Sequence, residues 1–438
     1  MGRAKALHYE ARDSWQLDGC IEEMEVIVSG YNFLSLAGVV VLLMIAFLCS
    51  NNRRKIRWRI VGIGLLAEFV FAYLILHTGP GMAFFNFLSN AIIRVLSFAY
   101  DGIDFVFGWL YSGDGIKNFK AQHPFILEAL VPIVFCGSII SVLYHYKIMQ
   151  KIVKWISIVF TKTLGISSAE SLATVSNVFL GQTQAPLVVA PYVSKLTQSE
   201  FFVLMVSGMA TVAGSLFVAY AAMGAKMSYV LAASIMAAPG SIIMAKIMIP
   251  EISRPETVGD KPIIEDEPKT LNFLDAIAQG ATDGWKVTVG VAVMLLSFIS
   301  VIYLLNYCVG LIPGLDLSLN KILSWVFTPI AFIIGVPAKD IPAVATMLGK
   351  KTVFNEFIAY ADLKGYVANG LSPRAYLMTC FALTGFANFS SIAIQIGGIG
   401  EIAPDRRKDV AKLGFKAVLA AVLANLMSAA IAGMMFFG

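Results

Sequence analysis

From residue 32 to the C-terminus the chain is a succession of long apolar runs separated by short polar loops. Runs of about 20 residues are the length that crosses a hydrocarbon core as a helix. The pattern therefore predicts an all-α polytopic membrane protein with spans at 32–50, 60–78, 124–145, 200–222, 227–249, 285–307, 373–397 and 412–437. Residues 83–122 are interrupted by Gly and Asp and read as lying partly in the interface. Lys147–Lys162, with Trp155, reads as a basic amphipathic helix on the membrane surface. A second helical stretch is predicted at 319–335.

Two further stretches, 166–196 and 337–362, are long enough to enter the membrane but carry Gly, Pro and polar residues in the middle. A lipid-facing helix would leave backbone groups unsatisfied there, whereas a re-entrant hairpin buried against other helices tolerates it. The two stretches look like copies. Lys151, Ile152, Trp155, Gly165 and Glu170 match Lys321, Ile322, Trp325, Gly335 and Asp340 at a constant offset. This predicts an inverted repeat with broken helices, the layout that places a substrate near the midplane of a secondary transporter.

Residues 1–31 are polar, with no charged n-region and cleavage site. They read as an N-terminal extension, with Met24 as the expected native start. The loop Asn51–Arg59 is the most basic in the chain and is expected on the cytoplasmic side. Counting crossings puts 147–162, 250–272 and 405–412 on that side too, and both termini outside. Composition agrees with this reading. Hydrophobic residues are 58% and charged residues 14%, against about 25% charged in soluble proteins. The net charge of +5 lies in loops, with no nucleic-acid motif. The five cysteines and four histidines are scattered, so neither a disulfide framework nor a His/Cys metal site is expected.

Polar residues inside the apolar regions form four clusters. In Asn177–Pro186, Gly181 and Pro186 break the helix beside Asn177, Gln182, Thr183 and Gln184. Free carbonyls with an Asn oxygen suit a monovalent cation, and free amides with Gln suit a neutral polar solute. In Gly208–Ser215 the small residues suit close packing, while Thr211 offers a hydroxyl to a cation held by Asn177. In Asn355–Tyr360, Glu356 is a carboxylate at membrane depth and so a functional residue by default. It either binds vicinal hydroxyls, as a sugar presents, or pairs with Lys350 or Lys351. In Gly385–Ile392, Asn388 and Ser391 are spaced to share a helix face, with Phe386 and Phe389 as an apolar wall. The set has no basic clamp for phosphate, no Walker sequence and no catalytic constellation. It favours an uncharged, hydroxylated solute driven by an ion gradient over a channel or a membrane enzyme.

Gly181-Gln182-Thr183, Asn355-Glu356-Phe357 and Gly385-Phe386-Ala387-Asn388-Phe389-Ser390-Ser391, in this order on this repeat, resemble the concentrative nucleoside transporter family, in its bacterial branch. The resemblance covers the chain from residue 32. It implies a homotrimer of protomers, each with eight spans and two re-entrant hairpins, and an elevator-like movement of a transport domain against a scaffold. On that division 32–145 and 285–316 are scaffold, 146–250 and 317–438 are the two transport-domain repeats, and 251–284 is the cytoplasmic loop and linker. Carried over by position, Gln182, Thr183, Gln184 and Leu216 face the nucleobase. Glu356, Asn388 and Ser391 hold the ribose, and Phe386 lines the cavity. Asn177, Thr211 and the carbonyls of Leu180 and Val212 hold Na+. Proton coupling through Glu356 is the alternative. One position departs: Gln184 stands where many members carry a carboxylate, which bears on base preference more than on ribose recognition.

Overall fold

A computed structural model describes residues 30–108, 124–257, 270–311 and 317–436. The N-terminal extension, Met24 and most of the 258–272 segment lie outside them. Within the described residues the ordered elements are helical, with no strand. In chain order they are α1 (Gly30–Leu48), α2 (Trp58–His77), α3 (Gly79–Phe107) and α4 (Pro132–His145), the last entered through a π turn at Ile126–Leu130. Then come α5 (Ile148–Leu164), α6 (Ser168–Leu180), α7 (Gln198–Ala210), α8 (Phe217–Ala222), α9 (Met227–Met248) and α10 (Phe273–Gly310). The remainder are α11 (Leu319–Ile333), α12 (Ile341–Val353), α13 (Glu356–Ala368), α14 (Pro373–Leu383), α15 (Ser390–Ile402) and α16 (Arg407–Met434).

Tertiary hydrogen bonds sort the loops onto two faces. On the first, Asn51 N–H donates to the Met248 carbonyl and Ser168 N–H to that of Thr257. Ser199 donates to Ile249 O, Arg406 to Leu196 O, and Lys416 to Asn51. On the second, Arg374 holds Tyr31 O, Asn32, Ser35 and Gly335 O, Ser372 bonds Asp340, and Tyr376 donates to Gly224 O. His77 meets Met435 O there as well. It follows that α1, α2, α7 with α8, α9, α14 with α15, and α16 each run from one face to the other. The α6 hairpin begins at Ser167 and returns at Ser194, both on the first face, where Ser194 bonds Asp405. The α12–α13 hairpin begins at Asp340 and returns at Ser372, both on the second. The two hairpins therefore enter from opposite faces, as the inverted repeat requires.

Among the described residues eight helical segments are long and apolar enough to cross a membrane, α7 with α8 counted as one, and α3 is one of them. The sequence reading of a break is corrected over 83–107, where Asp101 and Gly102 sit inside one continuous helix, and 109–122 lie outside the described residues. A single Gly costs a helix only about 1 kcal/mol, too little to interrupt so long an element. The contacts of α3 still fit an interfacial placement. Its start adjoins His77 on the second face. Near its far end, Tyr100 donates to the Glu128 carbonyl, and Glu128 pairs with Lys364 beside the Gly224 turn. The crossing that length alone misses is α14 with α15. The predicted spans at 200–222 and 373–397 are not single helices. Each is two half-helices joined by unwound chain, at 211–213 and 384–389.

Burial divides the helices. α9 and α16 are buried over most of their length, and α7 and α8 with them, whereas α10 is largely exposed. The buried group surrounds the hairpins. α10 packs antiparallel on α4, where Ser138 donates to Ile277 O at 3.2 Å and Thr288 to Leu130 O at 3.0 Å. Gly280 and Gly284 let the Gly137 turn of α4 approach the α10 backbone, as small residues do between membrane helices. α5 and α11 lie before the two hairpins, with Trp155 and Trp325 both exposed. Gly165 and Gly335, the matched residues of the repeat, end α5 and follow α11 with positive φ.

Candidate functional site

Each hairpin tip is a helix end aimed inward. α6 stops because Gly181 takes φ 77°, and Gln184 opens a short turn of helix at Ala185–Val188. α12 stops at Val353. Asn355 then caps α13, accepting from Ile358 N–H at 3.0 Å, which puts Glu356 in the first turn. A helix N-terminus favours an anionic side chain there. Opposite the tips are the unwound joints of α7–α8 and α14–α15.

These parts enclose a cavity of about 340 Å³. Gln182, Thr183, Gln184, Leu216, Glu356, Phe386, Asn388 and Ser391 all line it, with Val287, Gly290, Val291 and Met294 of α10 as one wall. A continuous chain of hydrogen bonds joins the two tips. Gln395 donates to Gln182 Oε1 at 3.4 Å, and Gln182 Nε2 donates to Ser391 Oγ at 3.0 Å. Asn388 Oδ1 accepts from Ser391 N–H at 3.0 Å, and Asn388 Nδ2 donates to Glu356 Oε2 at 3.1 Å. Tyr220 OH donates to Glu356 Oε1 at 3.2 Å. Tyr220 is itself stacked on Tyr360, with ring centroids 4.6 Å apart.

Glu356 forms no salt bridge with Lys350 or Lys351. Among the described residues its hydrogen-bond partners are neutral, Tyr220 and Asn388, while the Lys351 charge acts on it through space. Lys350 pairs instead with Asp362 at 2.5 Å, and Lys351 donates to Ala382 O at 2.6 Å and Asn425 Oδ1 at 2.7 Å. Glu356 is 2% exposed. Each carboxylate oxygen holds one bond and has a lone pair left for a hydroxyl donor. Two expectations need correction. Asn388 and Ser391 do not share a helix face, because Asn388 precedes α15 and meets Ser391 by capping its amide. Phe389 is no cavity wall, since it is 45% exposed and packs on Phe415.

The residues expected at the cation site sit beside the cavity. Asn177 is fully buried. Its Nδ2 donates to Ala173 O and Ser207 Oγ, both at 3.0 Å, while its Oδ1 is a buried acceptor with no hydrogen-bond partner. That oxygen faces α7, 3.4 Å from where a Cβ on Gly208 would stand. Thr211 hangs on the same residue, donating to Ser207 O at 2.8 Å. Leu180 ends α6 and Val212 follows α7, so their carbonyls lack the partner a helix interior supplies. Gly181 brings the tip onto Ala213, where a Cβ would come within 2.9 Å of Ala213 Cβ. An unpartnered amide oxygen beside a hydroxyl and helix-end carbonyls is an oxygen-ligand set that fits Na+. Among the described residues no cluster of His, Cys, Asp or Glu competes for a metal.

Sequence reading missed Tyr220, Gln395 and Asn425, and it named Lys351 only as a partner for Glu356, not for Ala382 O and Asn425. Their partners lie 31 to 213 positions away along the chain. A Tyr inside an apolar run was the available signal.

Three family models cover most of the chain. They are Na+ dependent nucleoside transporter N-terminus over residues 37–110, nucleoside recognition (Gate) over 126–227, and Na+ dependent nucleoside transporter C-terminus over 229–433. The chain is similar to the nucleoside permease NupC of Helicobacter pylori, at 37% identity over 92% of this chain and 97% of that one. It is also similar to CNTnw in an inward-facing substrate-bound state, with TM-score 0.88 and 40% identity over 92% of this chain and 97% of that one. A CNTnw variant in an outward-facing state gives TM-score 0.87 and 39% identity over the same shares. With the hairpins, the cavity and these likenesses together, the chain belongs to the concentrative, Na+ dependent nucleoside transporter family and is a transporter rather than an enzyme.

Proposed function

We propose that this protein imports nucleosides by symport with Na+ through elevator-type alternating access. The observation that carries the reading is the division of one cavity. Gln182, Thr183, Gln184 and Leu216 come from the first repeat, and Glu356, Asn388 and Ser391 from the second. The first set is amide, hydroxyl and aliphatic, suited to a base edge and face. The second offers a carboxylate, an amide and a hydroxyl, suited to ribose hydroxyls. Nothing lining the cavity is cationic, so a phosphorylated nucleotide is disfavoured. The cation set at Asn177, Leu180, Thr211 and Val212 adjoins the same hairpin tip, so cation binding orders the wall that meets the base.

Likeness to both inward- and outward-facing CNTnw supports a movement of the two hairpins and their half-helices against α4 and α10. That division makes 32–145 and 285–316 the scaffold. We further propose a homotrimer in the inner membrane of a bacterium, with the basic loops at Arg53–Arg59 and Arg406–Lys408 cytoplasmic by the positive-inside rule. Proton coupling through Glu356 is the second reading, favoured by a carboxylate whose hydrogen-bond partners are neutral groups.

The test is uptake of labelled uridine and adenosine into proteoliposomes under an inward Na+ gradient, then under an inward proton gradient without Na+. Accumulation with Na+ alone is the expected result. Accumulation with protons alone transfers coupling to Glu356, and no uptake of either nucleoside refutes the substrate class. Gln184→Glu is expected to change the ratio of purine to pyrimidine uptake about tenfold, since it replaces an amide donor with an acceptor at the base. Equal selectivity of the two forms would contradict the assignment of Gln184 to the base.

A further inference from the structure

The two broken helices end alike. α7 stops at Ala210 with Thr211 as its cap, and α14 stops at Leu383 with Thr384 as its cap. Each Thr hydroxyl turns back to the carbonyl four residues earlier, Thr211 to Ser207 O at 2.8 Å and Thr384 to Cys380 O at 2.7 Å. The ends meet. Gly385, at φ 121°, lies so close to Ala210 O and Asn425 Oδ1 that a Cβ there would overlap both. Two helix C-termini thus bring unsatisfied carbonyls and the negative ends of their dipoles to one buried place.

That place holds a positive group belonging to the protein. Lys351, 2% exposed, donates through Nζ to Ala382 O at 2.6 Å and to Asn425 Oδ1 at 2.7 Å. Asn425 Nδ2 in turn donates to Ala210 O at 2.8 Å. Among the described residues no carboxylate forms an ion pair with Lys351. Its hydrogen-bond partners are a helix-end carbonyl and an amide oxygen, the ligand types found around Asn177, and the Glu356 carboxylate acts on its charge through space. Both residues lie in the last turn of their hairpin helix, Asn177 four positions before the cap of α6 and Lys351 three before the cap of α12. In the first repeat the buried polar residue leaves an oxygen without a partner. In the second it brings a cation.

We propose that Lys351 is a tethered cation that fills, in the second repeat, the counterpart of the exchangeable Na+ position in the first. This inference rests on the Na+ reading above and adds two consequences. One protomer then needs a single exchangeable cation per cycle. Lys351 also acts as a positioning residue, fixing the joint after α14 that carries Asn388 and Ser391, and through Asn425 the end of α7 that carries Thr211. A void of about 10 Å³ beside Lys351 and Ala382 gives an incoming ion room once the side chain is shortened.

The experiment is the Na+ dependence of uridine uptake in proteoliposomes for wild type, Lys351→Arg, Lys351→Gln and Lys351→Ala. Na+-dependent melting of each purified protein is measured beside it, with choline as the control ion. Wild type and Lys351→Arg should show a Hill coefficient of about one, and Lys351→Ala about two, with half-maximal Na+ raised about tenfold or more. Lys351→Ala should also gain an extra Na+-specific rise in melting temperature that wild type lacks. Lys351→Gln should lose uptake at every Na+ concentration, because its amide blocks the ion without replacing the charge. Neutral variants with a wild-type Na+ titration would overturn the proposal. So would loss of folded protein in all three variants, Arg included, which would leave a packing role. Folded protein with Arg but not with Gln or Ala would support it. Absence of Na+ dependence in wild type would remove the coupling-ion reading separately. The melting comparison would then decide: a Na+-specific gain in Lys351→Ala supports the tethered cation, and no gain overturns it.

Discussion

Replacing Glu356 by Gln is expected to lower the apparent affinity for ribonucleosides about a hundredfold, on the scale of 1.5–3 kcal/mol for a hydrogen bond to a charged group. The neighbours predict how the amide will sit. Asn388 presents an NH2 to Oε2, so the Gln oxygen takes that place. The Gln NH2 then faces Tyr220, whose hydroxyl rotates to accept it. The fold survives because both buried partners stay bonded. What is lost is a negative charge and one acceptor for vicinal hydroxyls. The variant should therefore discriminate less between uridine and 2′-deoxyuridine than wild type does. Competition of the two for labelled uridine uptake measures this. An unchanged ratio with unchanged affinity would mean that Glu356 does not hold the ribose.

Asn177→Leu should remove the response to Na+. Leu keeps the volume and the helix propensity but deletes the unpartnered Oδ1, leaving a hydroxyl and carbonyls too few to replace the hydration shell of the ion. Loss of the Nδ2 bonds to Ala173 O and Ser207 leaves Ser207 free to bond elsewhere in α7, so the variant should remain folded. We expect half-maximal Na+ for uridine uptake to rise about a hundredfold or pass out of reach, about 2.7 kcal/mol in coupling free energy. Residual nucleoside binding without Na+ should persist, because the ribose contacts come from the other repeat. A wild-type Na+ titration in this variant would refute the cation site and move attention to Glu356 as a proton carrier.

The spans and hairpins were legible because lipid imposes a length and because Gly and Pro inside an apolar run have few other uses. Glu356 and Asn177 were legible for the same reason: a polar group in such a run is expensive. The unwound joints at 211–213 and 384–389 were not. Thr211 and Thr384 cap their half-helices through their own hydroxyls, and nothing in the apolar pattern marks Thr as a stop. Gly385 reads only as one residue of its motif, although its positive φ is what turns the chain. For α3 the error ran the other way, since Asp101, Gly102 and Asp104 looked like breaks yet are carried on one helix. Tyr220 escaped notice because an aromatic in an apolar run is ordinarily core. Only the pairing of α8 with α13 shows that its hydroxyl ends on Glu356.

One cavity between two inverted hairpins is expected to hold the substrate. The most direct measurement of this is a structure of the purified protein with uridine and Na+. The account predicts density with the base against Gln182, Thr183 and Gln184 and the ribose on Glu356, Asn388 and Ser391. Uridine bound elsewhere, or this cavity empty at saturating uridine and Na+, would contradict it.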